Sequence, residues 1–170
     1  DDLTYSVVAD ASNGTTSISG ATLTYTANQD WNGTETITYK ANDGTVDSNT
    51  STITVTVTAV NDGPVSSNVS VSTNEDTAKA ITLSATDVDT GASLTYSIVS
   101  NPSNGSLGSV SGANVTYTPN ANWNGTTDPH GSGTDTFTYK ANDGTVDSNT
   151  STVTISVKAI NDAPTTNDVS

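Results

Sequence analysis

The 170-residue chain contains no cysteine, which removes disulfides, thiolate metal sites and thiol catalysis together. It has four lysines as its only strongly basic residues against 18 Asp and Glu, and its formal net charge is -14. Nucleic-acid binding needs clustered Lys or Arg to release counterions from phosphate, and docking on an anionic lipid surface needs the same charge. Both partner classes are excluded. No apolar run reaches the length of a membrane-spanning helix, so membrane insertion is not expected, and none resembles a signal-peptide core. No stretch of useful length carries a 3.6-residue apolar period. Hydrophobic residues make up only 31%, against roughly 45–50% in ordinary domains. Charged residues are also scarce at 13%, and Thr, Ser and Asn fill the difference. Threonine alone supplies 34 positions and favours strands, so the composition reads as thin-cored β structure.

The chain repeats itself. Tyr39–Thr52 (YKANDGTVDSNTST) returns unchanged at Tyr139–Thr152. LTYS at Leu3–Ser6 returns at Leu94–Ser97, SNG at Ser12–Gly14 returns at Ser103–Gly105, and WNGT at Trp31–Thr34 returns at Trp123–Thr126. The later copy gains one residue before its tryptophan and eight after it, Thr127 to Thr134. A unit of about 90–100 residues is a whole domain, not a solenoid turn. AVNDGPV at Ala59–Val65 and AINDAPT at Ala159–Thr165 fall at the same phase and read as joints stiffened by Pro64 and Pro164. The expected organisation is an incomplete repeat over residues 1–63 that lacks the counterpart of residues 71–91. A complete repeat over 64–164 and the first strand of another over 165–170 follow it. The segment is therefore expected to belong to a longer protein, unless a neighbouring chain supplies the absent strands by β-augmentation.

Within each unit the apolar period is two. Thr52–Thr58 places Ile53, Val55 and Val57 on one face and threonines on the other, and Thr36–Tyr39, Thr136–Tyr139, Leu23–Tyr25 and Val115–Tyr117 alternate likewise. Asn-Asp-Gly, Ser-Asn-Gly and Trp-Asn-Gly turns separate the runs about every 8–12 residues. About seven short strands per unit predict an all-β, Ig-like Greek-key sandwich. Such a small Ser/Thr-rich core is expected to need further stabilisation.

The joints AVNDGP and AINDAP resemble the DxNDNxP linker of cadherin repeats. TYKANDG followed by STITVTVTAV or STVTISVKAI resembles the last two strands of a cadherin-like domain, and ATDVDTGASLTYSIV (Ala85–Val99) resembles its ATDxD motif. Asn74-Glu75-Asp76 stands where the family carries its first-strand glutamate. With YTPNANWNGT added, the whole chain is similar to the bacterial cadherin-like tandem repeats of large RTX-type adhesins and other giant surface proteins. The resemblance implies tandem cadherin-like β-sandwiches in an extracellular, cell-surface setting, with neighbouring repeats of the same protein as partners.

It also implies calcium, a hard ion that takes 6–8 oxygens. By resemblance, Asp87, Asp89, Asp143, Asn61 and Asp62 would converge on the junction between the two units, with Asp30 a sixth ligand. Glu75, Asn161 and Asp162 would serve the downstream junction, and Asp43 the upstream one. Asn122 stands at the counterpart of Asp30, and the linkers lack the flanking Asp and second Asn of the animal motif. Fewer charges imply weaker binding, on the order of 0.1–1 mM. The alternative reading makes these aspartates turn formers and solubilising charges.

Trp31 and Trp123 either stack on sugars or plug one end of each sandwich. The single His130 lies between Asp128 and Asp135, but nothing places a nucleophile or oxyanion hole beside it, so no enzyme is expected. The reading that follows is a calcium-stiffened extender of a bacterial adhesin or surface fibre. Its competitors are a carbohydrate-binding module that takes glycans and a filament subunit that exchanges strands with other copies of itself.

Overall fold

The structure, a computed structural model, describes residues 2–125 and 131–162. His130, Pro164 and the expected opening strand over 165–170 lie outside the described residues. The alternating Thr/apolar runs all form strands, and no helix occurs among the described residues. The chain divides into two compact units, one ending at Asn61 and the other beginning at Asp62. The division falls ahead of the joint proline because Asp62 already donates its backbone N–H to Asp89 Oδ2 (2.9 Å), and Gly63 packs against the Val146 side chain.

Unit 1 contains β1 (Thr4–Ala9), β2 (Gly14–Ser19), β3 (Thr22–Ala27), β4 (Gly33–Asn42) and β5 (Ser51–Val57). β1, β4 and β5 form an antiparallel sheet in that order, and β2 pairs with β3. Gly20, with φ 58°, opens the two-residue β2–β3 turn, where primed hairpin turns require a positive φ. Ile37 is fully buried, but the apolar positions of β3 and β5 are only half-buried.

Unit 2 contains β6 (Val65–Ser66), β7 (Val69–Asn74), β8 (Lys79–Thr82), β9 (Ala85–Thr86), β10 (Thr95–Ser100), β11 (Gly105–Leu107), β12 (Asn114–Pro119), β13 (Ser132–Asn142) and β14 (Ser151–Lys158). Its main sheet has the order β10-β13-β14-β7, with β7 parallel to β14. The facing sheet is β11-β12-β8, and β6 pairs with β9. Inward residues of both sheets make one core from Ile81, Leu83, Val115, Tyr117, Phe137, Tyr139, Val153, Ile155 and Val157. Each fully buried aliphatic side chain here contributes about 1.5–3 kcal/mol of transfer free energy. The all-β sandwich expectation is met. Unit 1 has no counterparts of β6–β9 among the described residues.

Strand register corrects the position of the insertion. Gly33 faces Val57 and Glu35 faces Val55 in unit 1, while Gly133 faces Val157 and Asp135 faces Ile155 in unit 2. Gly133 and Thr134 are therefore the counterparts of Gly33 and Thr34, so the eight extra residues are 125–132, not Thr127–Thr134. Gly125 (φ 73°) and Gly133 lie so close that a Cβ on either would fall within 2.4 Å of the other's Cα. Glycine is required at both ends of this insertion.

Candidate metal centre

The β9 strand runs into a tight turn at Asp87–Gly91, reversed by Gly91 at φ 85°. Asp87 Oδ1 accepts the Asp89 N–H at 2.8 Å, an Asx turn that orients both acids. Asp89 Oδ2 in turn accepts the Asp62 N–H at 2.9 Å, tying the entering linker to the turn. Asp87 Oδ2 is buried and has no hydrogen-bond partner. A buried carboxylate oxygen left without a donor is costly and calls for a partner, a water or a cation. The Asp87 and Asp89 carboxylates are of the chemistry a hard divalent ion takes.

Asp143 occupies the turn between β13 and β14. Its Oδ1 accepts the N–H groups of Thr145 (2.6 Å) and Val146 (2.7 Å), and Val146 is the residue Gly63 packs on. The linker side of unit 2 therefore contains Asp62, Asp87, Asp89 and the Asp143 turn. Among the described residues, however, no three His, Cys, Asp or Glu side chains converge as one metal-ligating group. Asp43 makes the same turn in unit 1, and the Val46 and Thr45 N–H groups hold its carboxyl below the usual range. Asp30 sits in a left-handed turn (φ 57°) and accepts Gln29 Nε2 at 3.2 Å. Asn61 is exposed at the last position of unit 1.

At the other end of β14, Glu75 is buried, 6% exposed. It accepts the Ile160 N–H at 2.6 Å and Asn124 Nδ2 at 3.2 Å, and its own N–H donates to the Lys158 carbonyl. Glu75 therefore meets the departing chain one residue before Asn161, whose Nδ2 donates to the Asp162 carbonyl at 3.2 Å. Asp76, not among the expected ligands, accepts the Asn122 N–H. That bond holds Asn122 in the same left-handed conformation as Asp30.

The sequence reading assigned no role to two buried acids. Glu35 accepts the Asn13 N–H (2.8 Å) and Nδ2 (3.0 Å), while Asp135 accepts the N–H groups of Ser103, Asn104 and Thr136 and the Tyr117 hydroxyl. Both sit in phase with the inward Ile37 and Phe137, which was the available signal. They anchor the Ser-Asn-Gly turns and are structural. Burial and the adjacent Asp135 carboxylate push the Tyr117 hydroxyl far above its ordinary range. Trp123 is half-buried and packs against the core, and the half-buried Trp31 ring lies against Gly33.

No helix among the described residues is long and apolar enough to cross a membrane. No curated protein matches the sequence. Among solved structures, EC1-2 of human protocadherin-24 matches at TM-score 0.57 and 17% identity, covering 94% of this chain and 82% of that one. EC22-24 of mouse cadherin-23 matches at TM-score 0.56 and 24% identity, covering 94% and 53%. An endo-fucoidan hydrolase of glycoside hydrolase family 107 matches at TM-score 0.44 and 20% identity; the chain spans only 24% of its length. The cadherin structures share the sandwich fold with this chain. The bacterial Ig domain family model covers residues 1–56 and 61–156, and such domains are typically extracellular, non-catalytic structural modules. The chain belongs to the bacterial Ig domain family.

Proposed function

We propose that the chain is a calcium-stiffened extender of a bacterial extracellular adhesin or surface fibre. The observation that carries this reading is the buried, partnerless Asp87 Oδ2 beside Asp89, whose carboxylate already holds the linker at Asp62. Calcium would add a charge-neutralising bond to that oxygen and draw on Asp89 and the linker oxygens for the rest of its shell. Without the ion, Asp62, Asp87 and Asp89 repel one another where the linker enters the domain. With it, the linker is held and the angle at which a preceding repeat departs is restricted. A tandem array of such repeats becomes a rod able to carry a binding tip away from a cell. Asn161 and Asp162, beyond the Glu75–Ile160 bond, would begin the next such linker.

Small-angle scattering of the chain in calcium and in chelator tests the mechanical part. A larger maximum dimension and a narrower distance distribution in calcium are expected. Identical profiles in the two buffers would rule out stiffening.

A further inference from the structure

The chain enters unit 2 at Asp62 and leaves it beyond Lys158, so tension along the protein reaches the unit through its first and last long strands, β7 and β14. These strands lie parallel, paired in register from Val69–Val153 to Asn74–Lys158. A pull on the N-terminal end of β7 and the C-terminal end of β14 acts in opposite directions along one ladder. Every rung is then loaded at once, whereas a pull on two ends that lie side by side opens the rungs singly. Val69 and Val71 pack on the core and Thr73 is buried, so sliding β7 displaces three inward side chains together. A side chain fastens each end of this ladder. At the entry, the Asn149 side chain accepts the Ser66 N–H at 3.0 Å and donates to the Ser66 carbonyl at 3.1 Å, and Ser66 Oγ donates to the Asn149 carbonyl at 2.6 Å. At the exit, the buried Glu75 carboxylate accepts the Ile160 N–H at 2.6 Å, and the Glu75 N–H donates to the Lys158 carbonyl at 2.9 Å. The Glu75 bonds follow directly on the last pair of the ladder and take up load when β7 and β14 slide past each other.

We propose that unit 2 is a shear clamp that bears tension along the protein, with Glu75 locking its exit end. The clamp resists a pull in one direction far better than in others, because only that direction loads the whole β7–β14 ladder together. It is distinct from control of the linker angle and does not depend on calcium.

The test is single-molecule force spectroscopy of the full chain in chelator. The chain has no cysteine, so paired substitutions give unique handles at exposed positions. Val60→Cys with Asn161→Cys loads the ladder in shear. Val60→Cys with Thr150→Cys takes hold of two chain segments at the same end of the ladder and peels it. Unit 2 should unfold at a force at least about twofold higher in shear than in peeling, although its stability in urea is the same in both constructions. Glu75→Gln replaces charge-assisted bonds by neutral ones and should speed unfolding at a fixed shear force about tenfold. In the peeling geometry the same substitution should leave the rate unchanged, because the ladder has opened before Glu75 is reached. Equal forces in the two geometries would overturn the clamp, and equal acceleration in both by Glu75→Gln would overturn the lock. The comparison of directions needs no variant of Glu75 and decides the clamp by itself.

Discussion

Glu35 and Asp135 perform one task with side chains of different length. Asp135 reaches two turn amides and the Tyr117 hydroxyl directly, whereas Glu35 uses its extra methylene to reach both the amide and the side chain of Asn13. Asp135→Ala leaves those buried donors without an acceptor. A loss of about 3 kcal/mol or more is expected in urea denaturation of unit 2. The Asn13 N–H bond holds the Glu35 carboxyl below its ordinary range. A depressed folded-state value means that its contribution is complete above the unfolded value, about pH 4.3, and is lost as pH falls through the folded one. Glu35→Gln should therefore flatten the acid limb of unit 1 stability measured between about pH 5 and 2, while leaving the slope between about pH 6 and 8 unchanged. The inward phase of both acids was legible in Thr-Glu-Thr-Ile and Thr-Asp-Thr-Phe. Their partners were not, because a turn more than 20 residues distant in sequence supplies them.

Among the elements, β5 and β14 carry nearly the same sequence with different burial. Val157 is fully buried in the core on a strand flanked by β13 and β7, whereas Val57 is half-buried on a strand paired only with β4 among the described residues. Val157→Ala should cost about 2 kcal/mol and Val57→Ala less than half of that, measured by chemical denaturation of each unit. Amides of Ser51–Val57 should also exchange faster than those of Ser151–Lys158, since among the described residues β5 pairs on one edge and β14 on both. Thr/apolar alternation made every long strand legible, because period two has one physical cause. The parallel β7–β14 pairing was not legible, since alternation marks a face and leaves the partner unspecified. Placement of the insertion was ambiguous for a plain reason. Gly-Thr occurs at both of its ends, Gly125-Thr126 and Gly133-Thr134, and only the strand register separates them.

For the molecule as a whole, the charge of -14 divides into acids bound into turns and acids paired at the surface. Asp87 and Asp89 share an Asx turn and Asp89 accepts the Asp62 backbone N–H where the linker enters unit 2, while Asp47 and Asp147 are paired with Lys40 and Lys140 at the surface. The Asp-x-Asp turn and the Asn-Asp joint were visible as motifs. The isolation of Asp87 Oδ2 was not, because it depends on which donors the surrounding backbone withholds. Calorimetric melting of the full chain and of its Asp87→Asn variant, each in chelator and in about 10 mM calcium, tests the calcium claim most directly. With a dissociation constant on the order of 0.1–1 mM, calcium stabilises by about 1.4–2.7 kcal/mol, which raises the unit 2 transition by roughly 5 °C or more. The account predicts that rise in the unaltered chain, its reversal by chelator, and little or none in Asp87→Asn. No rise in the unaltered chain, or an equal rise in the variant, would contradict it.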